Sequence, residues 1–420
     1  MALNYITFNQ DHSFLAVATT DGMRVYSTNP FQLVFQTPLT ENGASGDISI
    51  IEMLFSTSLV AMVLSPRHLR IINTKRQTTV CELTFPARVG AVKLNRKRLL
   101  VVMDDLVFVY DVASMKVLHQ IITPSNPYAI CALSSDSTNN YIAYPMRKKE
   151  YLSQPAPTHV PPSGPRVTEP MGGDVMLFDA NHLQEVNVIP AHQAPLSCIA
   201  MNKDGTLLAT ASEKGTIIRV FAIPSAQKLY QFRRGSMPAR IHCMSFNDKS
   251  TLLCVSSATE TVHIFRLGAP HGSRSNSVSS LQNRPPSSTH ERRSSRTSED
   301  FPDEYEDSTA DLATPERKAI NPTFASLIRR TSQNVGKSFA ATVGGYLPSA
   351  VAEIWEPARD FAWVKIPRSP SSAAAGPMRT VVALSNNGPQ VMVVTSEGNY
   401  YVFNVDLEKG GEGTLFKQYS

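Results

Sequence analysis

No apolar run in this 420-residue chain approaches the roughly 20 residues that span a bilayer, so any membrane contact must be peripheral. The N-terminus, Met1-Ala2-Leu3-Asn4-Tyr5, lacks the basic and long apolar regions of a secretory signal. Cysteine is sparse: Cys81, Cys131, Cys198, Cys243 and Cys254 are scattered with no paired metal-ligand spacing. Their odd number and apolar neighbours predict reduced, buried thiols in a cytoplasmic protein. There is no P-loop, no His-Glu-x-x-His zinc motif and no nucleophile elbow. The histidines fall in different parts of the chain without a clear carboxylate or cysteine partner. Catalysis, a bound metal and a cofactor are therefore not expected. Nucleic acid is disfavoured too, because the net charge is only +5 and the basic residues are dispersed.

Against these absences stands a repeated strand pattern. Hydrophobic residues make up 42% of a chain too long for one ordinary core, which suits a repeat-built protein. The opening reads Phe14-Leu15-Ala16-Val17-Ala18-Thr19, Asp21-Gly22, Met23-Arg24-Val25-Tyr26, which is strand, tight turn, strand. The same order returns at 59–64 and 68–72, at 99–102 and 107–111, and most clearly at 207–212 and 216–221. Seven such units follow one another, and uninterrupted neighbours recur at about 40–45 residues, the period of four-stranded propeller blades. An eight-stranded barrel would not repeat a four-strand unit in this way. The Trp-Asp dipeptide of WD repeats is absent, so the strand pattern alone predicts an all-β, WD-repeat-like, seven-bladed β-propeller. Residues 1–267 should hold blades 1 to 5 and part of blade 6, and 351–420 the rest of blade 6 with blade 7. Between them, 268–350 read as a long disordered or membrane-inserting loop of blade 6. A proline-rich basic insert is expected at about 145–173, inside the fourth unit.

One short stretch, Phe232-Arg233-Arg234-Gly235-Ser236, stands between the fifth and sixth units. Chain neighbours in an extended segment point to opposite sides, so two adjacent arginines can serve two pockets. Arginine's rigid fork of donors suits phosphate oxygens, and Gly235 lets the backbone turn or approach another chain closely. For an isolated Arg-Arg the ordinary reading is an exposed, salt-bridged pair. Here the surroundings argue otherwise. Ala191-His192, the run from Asp204-Gly205 through Thr210, Ser212 and Thr216 to Arg219, the Phe-Arg-Arg-Gly segment and Thr261-Val262-His263-Ile264-Phe265 together resemble the PROPPIN family. These are seven-bladed propellers that bind polyphosphoinositides, and the likeness is greatest to the fungal autophagy branch, related to the animal WIPI proteins.

The resemblance implies two phosphoinositide pockets on the propeller rim. The first would hold His192, Thr210, Ser212, Thr216, Arg219 and Arg233; the second Arg234, Ser256, Ser257, Thr261 and His263. Hydroxyls can donate to phosphate oxygens, and arginine adds charge-assisted bonds. Thr210 and Ser212 serve strand pairing equally well, and His263 can also pack against the sheet. Glu260 departs from the glycine-containing turn of many relatives and brings negative charge toward the second pocket.

Within the long loop, Phe324, Leu327, Ile328, Val335, Phe339 and Val343 fall mainly on one face at helical spacing, with Arg330 and Lys337 opposite. This pattern fits a helix that forms at a membrane interface, the alternative being a helix docked on the propeller. Arginine-flanked Ser277, Ser294 and Ser295 are candidate phosphorylation sites whose added charge would weaken attachment. In the second unit, Pro66-Arg67 reads as an exposed turn; by resemblance it implies a docking site for the large autophagy lipid-transfer protein. The family likeness thus implies an adaptor for phosphatidylinositol 3-phosphate and phosphatidylinositol 3,5-bisphosphate at the preautophagosomal structure, vacuole and endosome. The alternative is a propeller scaffold of vesicle coats that reads proteins and no lipid.

Overall fold

Some strands of this chain are buried at nearly every position, with no exposed alternate face. Leu252–Ser257 is buried at all six residues, and Leu207–Ser212 at five of six. A sheet has this property when both of its faces are covered. The outer strands differ: Thr78–Thr84 and Val117–Ile122 are largely exposed. The computed structural model, which describes residues 2–37, 47–147, 171–268, 357–367, 378–386 and 388–420, resolves this contrast as a seven-bladed β-propeller.

Seven sheets, antiparallel but for one short strand added to the sixth, are built from strands within residues 3–36, 50–84, 91–122, 132–189, 196–233, 241–365 and 380–419. In blades 1 to 5 the four strands run in chain order from the axis outward. The innermost strands, from Leu3–Phe8 round to Thr380–Leu384, contact one another in a closed ring. Each neighbouring pair of blades encloses one apolar cluster. Ile50, Val63, Leu99 and Tyr110 fill the seam between blades 2 and 3, and Val220, Phe232, Leu253 and Phe265 that between blades 5 and 6. Among the described residues, no strand is shared between the first and last blades. The ring closes through Phe8, Met392 and Val402, with Phe31 set against Tyr26, Tyr400 and Tyr419 at ring-centre distances of 5.1, 4.6 and 4.4 Å.

Two inserts depart from the regular blade. The insert expected at about 145–173 begins and ends in strand, and 148–170 lie outside the described residues. Strands Tyr141–Arg147 and Met171–Asp179 run into it, and Pro145 pairs with Val175. A register shift between Pro145 and Arg147 accommodates the proline, which has no N–H to give the ladder. In blade 6 the outer strand Ala362–Lys365 is covered by a short parallel fifth strand, Gly411–Glu412, from blade 7. Gly410 has φ +70°, and a Cβ there would lie 2.2 Å from the Phe361 carbonyl, so only glycine brings the chain this close. Residues 357–420 belong to the same compact unit as 1–271. The amphipathic stretch with Phe324, Leu327, Ile328, Val335, Phe339 and Val343, and the loop serines, lie outside the described residues. No helix among the described residues is long and apolar enough to cross a membrane.

Tyr400 is 2% exposed, and its hydroxyl has no partner among the described residues. Tyr400→Ala is expected to cost about 3–5 kcal/mol by emptying the closing seam. Tyr400→Phe should leave stability unchanged or raise it, because a buried, unbonded hydroxyl is unfavourable. Urea midpoints check this; an unchanged midpoint for Tyr400→Ala would show that closure does not rest on the aromatic cluster.

Candidate functional site

The outer strand of blade 5, Lys228–Arg233, pairs with Ile217–Ala222 so that Arg219 faces Gln231, Ile218 faces Phe232 and Ile217 faces Arg233. Strand alternation then sorts the segment. Gln231 and Arg233 share the face of Arg219 and Thr210, toward blade 4, whereas Phe232 is turned toward blade 6. Phe232 is 3% exposed and stacks on Phe265 of blade 6 at 4.7 Å. Arg234 follows it into that seam, and its amide donates to the Thr216 carbonyl at 2.9 Å.

On the blade 4 side the side chains form a chain of hydrogen bonds. Arg219 donates from Nε to Gln231 Oε1 (2.9 Å) and from Nη1 to the Ala191 carbonyl (2.7 Å) and His192 Nδ1 (3.0 Å). His192 Nε2 in turn meets Thr210 Oγ1 at 3.0 Å. Burial, and then the Arg219 charge, pushes His192 down to about 4. The ring is therefore neutral near pH 7, which is the state in which Nδ1 can accept from Arg219 while Nε2 donates to Thr210. Thr210 is fully buried and Ser212 nearly so. Both side chains sit within the strand packing, and His192 is occupied in orienting Arg219. Thr216 is half-buried where the strand begins. Arg233 is exposed, and its guanidinium has no partner among the described residues.

The blade 6 side is built differently. Arg234 is 7% exposed, with Nε donating to the Gly215 carbonyl at 2.9 Å and Nη2 to the Met237 carbonyl at 2.5 Å. It braces the hairpin before it to the loop after it. Burial lowers the pKa of Arg234 and Arg219 from the usual arginine value, and both keep their charge at neutral pH. Ser257, Thr261 and His263 share one face of blade 6, the face that packs on blade 5. Ser257 Oγ is bonded to Thr259 Oγ1 at 2.9 Å, and His263 Nδ1 to Asp360 Oδ2 at 2.8 Å. Ser256 does not join this group. Adjacent to Ser257, it points to the opposite face, is fully buried, and donates to the Thr380 carbonyl of blade 7 at 3.2 Å.

Two participants escaped the sequence reading. Gln231 was available from its spacing, two residues before Arg233 on the same face. Asp360 was not, since it lies 97 residues beyond His263 and only the fold brings it there. Pro66 and Arg67 form the two-residue turn between strands Leu59–Ser65 and His68–Asn73 of blade 2. Both are exposed, and Arg67 Nε donates to the Phe85 carbonyl at 2.7 Å. A cavity of about 200 Å³ near His12, Lys203 and Asp248, at one end of the central channel, includes none of these residues. No cluster fit to hold a metal ion occurs among the described residues.

A seven-bladed propeller with paired arginines where blade 5 meets blade 6 defines a class. The PROPPIN family model matches residues 2–150 and 167–283, and the chain belongs to that family. Across its whole length it is 65% identical to Autophagy-related protein 18 of Phaeosphaeria nodorum, covering 100% of both chains. It is 56% identical to Autophagy-related protein 18 of Aspergillus terreus, again covering 100% of both. Among solved structures it resembles KlAtg21 in complex with the coiled-coil of AgAtg16, with TM-score 0.65, 27% identity, and coverage of 100% of this chain and 99% of that one. The fold is shared with Hsv2 of Kluyveromyces marxianus at TM-score 0.63 and 15% identity, covering 100% and 98%.

The neutral histidine has a measurable consequence. His192 takes up a proton near pH 4 in the folded chain but near 6.5 when unfolded. Between those values the unfolded chain binds more protons, so this residue makes stability fall as pH drops from about 6.5 to about 4. His192→Gln removes that contribution, and its thermal midpoint should decline less over the window than that of the parent. Equal declines would show that the imidazole is not held neutral.

Proposed function

We propose that this propeller is a peripheral membrane adaptor of autophagy that reads phosphoinositide headgroups at the blade 5–blade 6 rim. The reading rests on one arrangement above all: an exposed Arg233 on the face of a tethered Arg219, next to an Arg234 directed to the other side, in a chain of this family. Guanidinium forks suit phosphate oxygens because they offer paired donors at fixed angles. Arg219 is held through Nε and Nη1, so a headgroup that reaches its Nη2 meets a donor already oriented. The lipids proposed are phosphatidylinositol 3-phosphate and phosphatidylinositol 3,5-bisphosphate. No chemical transformation is proposed.

Weak contacts would act together. Each basic residue near an anionic surface contributes about 1 kcal/mol, and a second site on the same rigid body binds intramolecularly. Insertion of the stretch containing Phe324, Leu327 and Ile328 would add apolar burial to that grip. The adaptor would work at the preautophagosomal structure, with further sites at vacuole and endosome. The exposed Pro66-Arg67 turn on blade 2 would recruit the autophagy lipid-transfer protein. A propeller bound to membrane at one arc of its rim can present a partner at another.

Arg233→Thr is the cleanest variant, because the side chain is exposed and bonded to nothing described. Flotation with vesicles containing phosphatidylinositol 3-phosphate should fall about tenfold for Arg233→Thr, and further for Arg233→Thr/Arg234→Thr. Arg234→Thr also strips donors from two carbonyls and should lower stability by about 1–3 kcal/mol. Pro66→Ala/Arg67→Ala should float like the parent and lose only partner recruitment. Undiminished flotation of Arg233→Thr, or equal flotation with vesicles lacking phosphoinositide, would favour a scaffold that reads proteins.

A further inference from the structure

The chain returns to blade 6 at Pro357, and its first residues do not go straight into the blade's outer strand. They first pair alongside the outer strand of blade 5. Ala358 forms a parallel bridge with Phe232, its amide donating to the Gln231 carbonyl at 3.1 Å and its carbonyl accepting from the Arg233 amide at 2.9 Å. Two residues later, Asp360 Oδ2 accepts from His263 Nδ1 at 2.8 Å. Phe361 then donates to the Ile264 carbonyl at 2.8 Å, and strand Ala362–Lys365 begins. The segment is held from outside as well, because the Phe361 carbonyl accepts from Gly411 at 3.0 Å and the Arg266 guanidinium lies 3.8 Å over the Phe361 ring.

These contacts fall on the groups that the phosphoinositide reading uses. Within three residues the segment grips the backbone of Arg233 on blade 5 and the imidazole of His263 on blade 6. The Asp360 and His263 side chains are only 22% and 14% exposed, so water competes weakly for this bond. With Nδ1 committed to the carboxylate, Nε2 is the ring atom left for a phosphate oxygen, and the ring can no longer turn freely. A carboxylate beside an anion site is unfavourable by charge alone. Its position here makes sense where it fixes the donor, as second-layer carboxylates fix metal-bound histidines.

We propose that residues 358–360 are a clasp that ties the two headgroup-facing walls together, and that Asp360 is a positioning residue acting through His263. The inference rests on the phosphoinositide reading of the rim. A residue that acts through another has no effect once that other is gone, whereas a residue that only stabilises the fold weakens every variant alike.

The test is a double-mutant cycle on the full chain, read as binding to phosphatidylcholine vesicles with and without phosphatidylinositol 3-phosphate, alongside thermal midpoints. Asp360→Ala should weaken binding about three- to tenfold. In a His263→Ala background the same change should add nothing. Asp360→Asn, which keeps an oxygen for Nδ1–H, should bind nearly as the parent does. Additive losses in the cycle, or a loss for Asp360→Asn as large as for Asp360→Ala, would overturn the positioning role. If Arg233→Thr loses binding while Asp360→Ala does not, the clasp alone is wrong. If neither Arg233→Thr nor His263→Ala loses binding, the lipid reading fails and the clasp falls with it.

Discussion

A blade of this propeller has two apolar faces, and neither can be left in water. Covering one face with a neighbour creates the same need on the neighbour's far side, and the demand is met only when the ring closes. That requirement explains why Leu252–Ser257 is buried at every residue and why seven clusters, not one core, hold the molecule. It also explains the aromatic seam between first and last blades. With no strand passing between them among the described residues, Phe31, Tyr400 and Tyr419 supply by side-chain contact what a shared ladder would supply by hydrogen bonds.

Such a ring is stiff, and its outer strands are the places where chemistry can be placed without disturbing the packing. The last residues of blade 5 use this fully. Phe232 anchors the strand in the seam with blade 6, so the residues on either side of it are committed to the opposite face. Arg233 emerges into solvent while Arg234 turns inward and bonds to two carbonyls. The two guanidinium groups are thus unlike in role. One is an open charge, and the other ties a hairpin to a loop and carries its charge beside the next blade.

Much of this could be read from residue order. Period-two apolar runs separated by turns, repeated at blade length, led to the fold, and the alternation of side chains led to arginines on opposite faces. Residue order says less where a position's chemistry depends on what covers it. Thr210 and Ser256 have the right hydroxyls at plausible spacing, yet both are fully buried, one against His192 and the other against blade 7. Proline suggests loop where the blade 4 insert begins, yet a register shift keeps Pro145 within the strand.

The order of residues determined what local rules can determine: strands, turns, their number, and which neighbours in a strand must diverge. Those follow from backbone geometry within a few residues. Only the folded ring decided which face each strand shows to which blade, that His192 would be neutral and spent on Arg219, and that Asp360 would meet His263 from 97 residues away. Burial and long-range pairing depend on the parts of the chain that come to lie against a residue, and no local period records them.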